Sequence, residues 1–387
     1  MIPDLTGKVQ ALQPSLIREL SNEADASAKF SDLIQLWYGE PDLPTAEVVR
    51  RACKRALDSG ETFYTPNAGI LPLRQALADY MNGLYGTDFG VERILVTGSG
   101  TLALTIAAQA LLAPGDDLVT HAPHWPNLSA IQQLRGARVL RVPLELHEGR
   151  WRLDLQRLFD ACGPGTRAIL VNSPANPTGW VLDDDGQREI LDFCRRRGIW
   201  LVADEVYNRI VYDRPCAPTF ADKIGPGDPV LIVNSFSKTW SMTGWRLGWL
   251  TIPAGTLGRF EMLTEYTNSC TSAATQLAGV CAIQEGEPYL RESLARWDRS
   301  RRLLRDAFAQ LPRVLCPPGD GAFYAWFACE GVQDSYALAS DILHEARVGL
   351  APGVAFGPEG EGWLRLCHAV APELMERALE RLYPVLK

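Results

Sequence analysis

The lysine at position 238 stands in a stretch whose residue types could do chemistry. It lies in "NSFSKTWSMTGWRLGW", residues 234–249, where a short apolar run meets small hydroxyl residues. A lone ammonium that is partly withdrawn from water is costly, and it escapes that cost through a lowered pKa or through covalent use. The pattern therefore predicts that Lys238 acts either as a nucleophile or as a member of an ion pair.

Other polar residues follow the apolar runs at the points where each run ends. In chain order they are Ser99, Gly100, Thr101, Trp125, Asn176, Asp204, Tyr207, Ser235, Ser237 and, eight residues beyond the lysine, Arg246. Ligands of open α/β sheets bind beyond the carboxyl ends of the strands, so these side chains are expected on one rim. Together they suit a planar, nitrogen-containing aromatic molecule that bears a phosphate and is held through an amine.

The elements that must position this rim are short apolar runs alternating with amphipathic segments. Seven such runs are 93–97, 117–121, 138–142, 168–172, 200–204, 230–234 and 247–252. They are apolar on both faces, which is typical of strands buried in a parallel sheet. Helix-like stretches separate several of them, such as "DDGQREILDFCRRRG" with its C-terminal glycine. The alternation predicts an α/β domain with a mostly parallel sheet flanked by helices on both faces.

The alternation of short apolar runs and amphipathic segments ends at about residue 286. A long charged helix, "PYLRESLARWDRSRRLLRDAFAQL", leads to a hairpin-like "GAFYAWFA", another helix and a last strand, "WLRLCH". This order predicts a smaller α+β domain, completed by the N-terminal segment. We therefore expect a large domain over residues 46–285 and a small domain formed by residues 1–45 and 286–387.

The bulk composition narrows the class of protein. The net charge of −8 argues against a general nucleic-acid or anionic-membrane surface. The N-terminus has no long apolar core typical of a signal peptide, and no window approaches a membrane-spanning helix. The nine cysteines are scattered and never spaced CxxC, which indicates reduced thiols. These features predict a cytoplasmic globular protein, and its size favours an enzyme.

Each motif also has a structural explanation when it is taken alone. Glycine-rich turns such as "GSGT" are common, "NPTG" makes a good β-turn, and Asp204 could be a helix cap or an ion-pair member. Trp125 could be core packing and Lys238 a surface lysine. Their occurrence in order on successive strand ends is what favours a shared site.

At these residues the sequence resembles the class I/II aminotransferases, pyridoxal 5'-phosphate (PLP) enzymes of fold type I. The resemblance extends from "SLIREL" and "YGEPD" to "PGVAFG" and "WLRLCHA". Its most specific motifs are "SFSKTWSMTGWRLGW", "NSPANPTG" and "VADEVY". It implies PLP as the cofactor and the movement of an α-amino group between an L-amino acid and a 2-oxo acid.

The resemblance also implies roles for the catalytic residues. Lys238 corresponds to the lysine that forms a Schiff base with PLP and then shuttles a proton as a free amine. Asp204 matches the acid that pairs with the pyridine nitrogen and keeps the ring an electron sink. Tyr207 and Asn176 match the groups that hydrogen-bond the phenolic oxygen of the ring, whose anion they favour.

The remaining cofactor contacts follow from the same resemblance. Trp125 corresponds to the aromatic side chain that stacks on the ring. The phosphate would be held by Ser99, Gly100, Thr101, Ser235, Ser237 and Arg246. Tyr64, in "FYTPNAG", matches a tyrosine that reaches the phosphate of the neighbouring subunit, so a homodimer is implied.

The substrate is expected to bind through its α-carboxylate to Arg365, with Asn176 and the backbone at Gly39 assisting. Thr101 stands where relatives that recognise a second carboxylate carry a lysine. The expected pocket edges, Leu16, Tyr38 and Trp125, are apolar or aromatic. The amino donor is therefore expected to be neutral, hydrophobic or aromatic, with pyruvate or 2-oxoglutarate as acceptor.

Other readings stay open at this point. An enzyme of the same fold could catalyse β-elimination from a cysteine conjugate, cyclisation or oxidation of an amino acid. A regulator that uses such a domain as a sensor would need an N-terminal DNA-binding module, for which residues before 40 leave no room. His121 and His124 have metal-ligand spacing but no third ligand, so no metal is expected. Cys367 and His368 receive no role.

Overall fold

The computed structural model describes residues 6–10 and 12–387, so the first five residues of the expected small domain lie outside the described residues. The helices in the described part are α1 (Gly7–Gln10), α2 (Leu16–Asp25), α3 (Glu47–Asp58), α4 (Leu71–Tyr85), α5 (Gly100–Leu111), α6 (Asn127–Leu134), α7 (Leu155–Asp160), α8 (Asp184–Arg197), α9 (Phe236–Thr239), α10 (Leu257–Thr267), α11 (Ala273–Glu285), α12 (Glu287–Phe308), α13 (Ser335–Ala346) and α14 (Pro372–Leu386). The strands are β1 (Ile34–Gln35), β2 (Ile94–Thr97), β3 (Asp117–Ala122), β4 (Arg138–Pro143), β5 (Glu145–His147), β6 (Arg150–Arg152), β7 (Thr166–Asn172), β8 (Trp200–Asp204), β9 (Val230–Ser235), β10 (Gly248–Thr251), β11 (Val314–Leu315), β12 (Tyr324–Cys329), β13 (Val348–Gly349), β14 (Ala351–Pro352) and β15 (Trp363–Cys367).

A seven-stranded sheet forms the larger part of the molecule, in the order β2-β10-β9-β8-β7-β3-β4. All seven predicted apolar runs are strands of this sheet. Neighbouring strands pair in parallel except β10, which is antiparallel to both β2 and β9. The mostly parallel α/β architecture predicted from the sequence is therefore confirmed.

Helices cover both faces of the sheet because successive strand residues point in opposite directions. Ile169 and Ile232 belong to one buried apolar cluster, which also contains Leu73 and Trp249. Their chain neighbours Leu170 and Leu231 belong to a second cluster, with side chains of α5. Burial on both faces explains why these strands read as continuous apolar runs.

Helix α8 shows how local sequence sets an element's bounds. Asp183 caps its N-terminus, with Oδ1 accepting a hydrogen bond from Gly186 N at 2.8 Å. Acidic residues occupy its first turn and arginines its last, as the helix dipole favours. Gly198 ends it with a φ of 63°, a left-handed conformation that glycine adopts without strain.

A second, smaller sheet has the order β11-β12-β15-β14 and packs against α13, while α14 contributes Met375 and Leu382 to the same apolar core. The stretch "GAFYAWFA" was expected to be a hairpin; instead most of it is the single strand β12, paired antiparallel with β11 on one side and β15 on the other. The N-terminal part joins this body, because Ile34 pairs with Val348 and Trp37 lies in the same apolar core as Phe327.

Within residues 6–10 and 12–387, none of the helices combines the length and the apolar character that crossing a membrane requires.

Candidate active site

The carboxyl ends of β7, β8 and β9 open onto a cavity of about 590 Å³ between the two sheets. Thirteen of the residues singled out in the sequence line it: Tyr38, Gly39, Gly100, Thr101, Trp125, Asn176, Asp204, Tyr207, Ser235, Ser237, Lys238, Arg246 and Arg365. Strand register explains part of this convergence, since Asn172 at the end of β7 lies opposite Asp204 at the end of β8. The structure thus brings together residues from both halves of the chain.

Lys238 lies in the one-turn helix α9, directly after β9. Ser235 caps this turn, with its hydroxyl accepting a hydrogen bond from Ser237 N at 3.1 Å. The half-buried ammonium donates to Gly39 O at 2.6 Å and forms no ion pair with the described residues. Burial lowers the pKa of Lys238 from its usual 10.5 to about 8, and the neighbouring guanidinium of Arg365 acts in the same direction.

Asp204 is a buried carboxylate that faces the cavity. Its Oδ1 accepts one hydrogen bond from Val206 N at 3.3 Å, and it belongs to none of the ion pairs within the described residues. Burial raises the pKa of Asp204 to about 7, against the opposing influences of Val206 N–H and Lys238. A cationic group beside it would stabilise its charged form.

Asn172 holds the backbone around this carboxylate. Its Nδ2 donates to Asp204 O at 3.1 Å, and its Oδ1 accepts from Asn176 N at 3.0 Å. The amide therefore joins the end of β8 to the "NPTG" turn. Asn172 was not predicted as a site residue, although it is the first residue of the motif "NSPANPTG".

Tyr207 forms a buried pair with Tyr324, another cavity residue that the sequence analysis missed. The two hydroxyl oxygens lie 2.6 Å apart, and the rings meet edge to face at 5.7 Å. Burial raises the pKa of both phenols above the usual value, so both are neutral at physiological pH.

Arg365 is a buried guanidinium on β15. Nη1 donates to Asn176 Oδ1 at 2.8 Å and Nη2 donates to Trp37 O, whereas Nε finds no partner within the described part of the chain. The rings of Tyr324 and Phe356 flank the group at 4.5 and 4.8 Å. A buried arginine whose planar group of N–H donors lines a cavity is suited to a planar anion.

The N-terminus of α5 closes another side of the cavity. It packs tightly on the sheet: a Cβ at Gly248 would lie 2.8 Å from Gly100 N, and one at Gly100 would lie 3.2 Å from Ser235 Cβ. Ser99 does not line the cavity, because its hydroxyl accepts from Leu102 N at 2.9 Å and caps the helix. Ser235 donates to Ser237 Oγ at 2.9 Å, and Arg246 lies exposed at the cavity margin.

The pocket edges differ in detail from those expected. Tyr38 and Trp125 line the cavity, but Leu16 does not; its place is taken by Ser15, Ile17 and Arg18. A helical stretch exposes only some of its residues to one cavity, and the sequence alone did not fix which. Tyr64 lies outside this chain's cavity with 93% of its surface exposed.

The histidine and cysteine residues noted in the sequence contact other groups of the protein. His121 Nε2 lies 3.2 Å from Asn172 N, and His124 contacts His121 O and Ser129 Oγ, both at 2.6 Å. The described residues contain no group of three potential metal ligands. Cys367 packs with Tyr207 and Tyr324, and burial lowers the pKa of His368 to about 3.

The family model "Aminotransferase class I and II" matches residues 31–382. The chain is 33% identical over 384 residues to an aspartate aminotransferase of Pyrococcus horikoshii, covering 98% of this chain and 96% of that one. It is 31% identical to aromatic-amino-acid aminotransferase 2 of Thermococcus litoralis, covering 99% and 98%. A solved mutant of the Thermus thermophilus aspartate aminotransferase superposes with a TM-score of 0.92 at 30% identity, with both chains fully covered.

Proposed function

The chain belongs to the class I and II aminotransferases, and on that basis we propose that it moves an α-amino group between a neutral, hydrophobic or aromatic L-amino acid and a 2-oxo acid, with PLP as cofactor. The observation that carries the proposal is the meeting of Lys238, Asp204, Tyr207 and Arg365 in one cavity. Asp204 and Tyr207 lie three residues apart, whereas Lys238 and Arg365 come from two other parts of the chain. Each of the four groups has an environment that matches a different task.

The cavity has the donor set that PLP would need. Asp204 offers a buried carboxylate without a cationic partner to the ring nitrogen, and Trp125 offers an aromatic face. The N-terminus of α5, the hydroxyls of Ser235 and Ser237 and the guanidinium of Arg246 supply an anion site. When bound, PLP supplies the electron sink for the electron pair left behind as the substrate's Cα loses a proton.

The lowered pKa of Lys238 makes its neutral amine accessible near physiological pH, as covalent attachment and proton transfer both require. Its Nζ would hold the cofactor covalently, and once displaced by the substrate amine it would take the proton from Cα. An ion-paired lysine would be held in its charged form, whereas this one faces a carbonyl oxygen and has a lowered pKa. Tyr207 would donate a hydrogen bond to the phenolic oxygen of the ring.

Arg365 would bind the α-carboxylate common to both substrates. Its guanidinium lines the cavity, and a planar fork of N–H donors matches the geometry of a carboxylate. Asn176 fixes the guanidinium by accepting from Nη1, so the fork is oriented before a substrate arrives.

The walls around this anchor are mixed in character. Ile17, Tyr38, Leu104 and Trp125 give apolar or aromatic surface, which favours a neutral side chain on the donor. Arg18 adds an exposed guanidinium that belongs to none of the ion pairs of the described residues and lies 6.0 Å from the Tyr38 ring. This cation favours 2-oxoglutarate over pyruvate as the acceptor, because only 2-oxoglutarate has a second carboxylate.

A homodimer is part of the proposal, with Tyr64 reaching the phosphate site of the partner. Phe63, Tyr64 and Tyr266 expose 83%, 93% and 87% of their surfaces. Their segments adjoin, since Thr65 Oγ1 donates to Thr271 O at 3.2 Å and Asn67 Nδ2 to a carboxylate oxygen of Glu265 at 3.4 Å. A cluster of exposed aromatic side chains is typical of an interface. All nine cysteines are free thiols, which favours the cytoplasm as the site of action.

An amino-donor screen tests the proposal. Protein loaded with PLP is mixed with one amino acid at a time, and the visible absorbance band reports conversion of the cofactor to its amine form. Neutral and aromatic donors should convert it only once per site unless a 2-oxo acid is present. Release of pyruvate and ammonia without an acceptor would instead indicate β-elimination, and the absence of any cofactor band would overturn the proposal. The relatives named above are aminotransferases, which favours transamination over elimination, cyclisation or oxidation.

A further inference from the structure

Tyr324 contacts three of the groups to which a function is assigned above. Its hydroxyl lies 2.6 Å from that of Tyr207, and its ring lies 4.5 Å from the guanidinium carbon of Arg365. It also fills the space beside Gly39, where an added Cβ would fall 2.0 Å from its hydroxyl oxygen. Gly39 in turn accepts the hydrogen bond from Lys238.

The chain fixes this tyrosine tightly. Ala322, two residues earlier, has a φ of 59°, a conformation uncommon for a residue with a side chain. Its N–H donates to Ile210 O at 2.8 Å, and its carbonyl accepts from Tyr212 Oη at 3.0 Å. Both partners lie in the segment that follows β8, so the start of β12 is held against the segment that carries Tyr207.

The direction of the hydrogen bond between the two hydroxyls decides whether Tyr207 can donate its own proton to another acceptor. Each phenol is neutral and has one proton to donate, and within the pair only one of them donates to the other. If Tyr207 donated to Tyr324, its proton would not be available to any other acceptor. A Tyr207 that donates into the cavity must therefore accept a hydrogen bond from Tyr324.

We propose that Tyr324 is a positioning residue: it donates its hydroxyl proton to Tyr207 and thereby directs the Tyr207 proton toward the phenolic oxygen of the cofactor. The inference rests on the proposed function, because it requires PLP in the cavity. The inference goes beyond the proposed function because it assigns a task to Tyr324, which has no role there. A phenol that accepts a hydrogen bond is itself a stronger donor, so Tyr324 would also strengthen the bond that Tyr207 makes.

The test measures the pH midpoint of the absorbance change of bound PLP, which reports loss of the proton held between Lys238 and the cofactor. This loss leaves negative charge on the phenolic oxygen, and the donor stabilises that charge. Tyr324→Phe keeps the ring beside Arg365 but removes the donor to Tyr207. The midpoint should rise by about 0.5 to 1 pH unit, the size expected for one neutral hydrogen bond.

Two further variants separate positioning from loosening of the fold. Tyr207→Phe should raise the midpoint by at least as much, and the double variant should match Tyr207→Phe alone, because Tyr324 acts only through Tyr207. Tyr85→Phe is the control: it removes a partly buried hydroxyl that donates to Asn208 Oδ1 at 2.8 Å outside the cavity, and it should leave the midpoint unchanged. Thermal melting and cofactor occupancy show whether each variant has folded.

The outcomes distinguish this inference from the proposed function. A wild-type band whose midpoint is unmoved by Tyr324→Phe overturns the inference alone, and so does a double variant in which the two shifts add in full. A wild-type protein that shows no cofactor band overturns the proposed function and this inference with it.

Discussion

Lys238 Nζ donates a hydrogen bond to Gly39 O at 2.6 Å, joining the end of β9 to the N-terminal segment over 199 residues of sequence. A carbonyl oxygen orients the amine without the full charge of a carboxylate. Lys223 offers a contrast within the same chain, because its Nζ lies 2.6 Å from Asp184 Oδ1 and 2.7 Å from Asp222 Oδ1. Lys223 is thus held in ion pairs, whereas Lys238 has no anionic partner among the described residues.

The lowered pKa of Lys238 predicts the pH dependence of cofactor capture. Only the neutral amine attacks an aldehyde, so the rate at which the cofactor-free protein takes up PLP should rise with pH to a plateau, with a midpoint near 8. Borohydride reduction followed by peptide mapping should place the label on Lys238 and leave Lys223 unmodified. A midpoint above 10, or label on Lys223, would contradict the assignment, and Lys238→Ala serves as the unlabelled control.

The buried carboxylate of Asp204 predicts two effects of Asp204→Asn. With PLP bound, amino-group transfer should slow by at least about 100-fold, because the amide offers no negative charge to the ring nitrogen. Without PLP, the variant should melt at a higher temperature than the wild type above pH 7. The sign follows from the raised pKa: the unfolded state releases the proton at lower pH than the folded state, so wild-type stability falls as pH rises from about 4 through about 7.

Glu205→Gln is the matched control for that experiment. Glu205 is equally buried and burial raises its pKa to about 7, but its oxygens accept from Thr219 Oγ1 and Phe220 N and do not line the cavity. The transfer rate should therefore stay within a few-fold of the wild type. Equal slowing in both variants would show that Asp204 acts through the fold.

Most strands of the large sheet and most residues of the cavity could be predicted from the sequence. The features that could not be predicted were missed for physical reasons. Apolar runs identify strands, but a strand buried on both faces reads the same in either direction, so the antiparallel β10 was not distinguished from its parallel neighbours. Most polar residues at strand ends were found because their chain positions mark one rim, although Asn172 at the end of β7 was not. Tyr324 was missed because its contact with Tyr207 spans 117 residues, and no local pattern encodes that distance. Ser99 lies at the rim as expected, yet its hydroxyl is used to cap α5.

Arg365→Lys should raise the Michaelis constants for both the amino acid and the 2-oxo acid by about 10- to 100-fold, the cost of one or two charge-assisted hydrogen bonds. Lysine keeps the charge but has no planar fork, and it cannot hold Asn176 and a carboxylate together in the same geometry. Steady-state kinetics with each substrate varied separately measures the effect. Arg381→Lys, on the surface near Asp32, is the control. Unchanged constants in Arg365→Lys would remove it from the carboxylate site.

Arg18→Ala should act on one substrate only. The guanidinium at the cavity edge would meet the second carboxylate of 2-oxoglutarate, so the Michaelis constant for that acceptor should rise by about 2- to 5-fold. Pyruvate, which lacks this carboxylate, should be used as before and serves as the internal control. An equal change for both acceptors would mean that Arg18 shapes the cavity without recognising the second carboxylate.

Tyr64 predicts a complementation between two defective chains. Its side chain is exposed and outside its own cavity, so in a dimer it would complete the phosphate site of the partner. Tyr64→Ala should weaken PLP binding, and Lys238→Ala should abolish covalent attachment. When the two variants are mixed and allowed to exchange subunits, each heterodimer has one site that contains both Lys238 and Tyr64. Titration should then reveal a population of tight sites, at most half of the sites in each heterodimer, that neither variant shows alone. Mixed samples that match the sum of the separate variants, despite subunit exchange, would place Tyr64 outside the cofactor site.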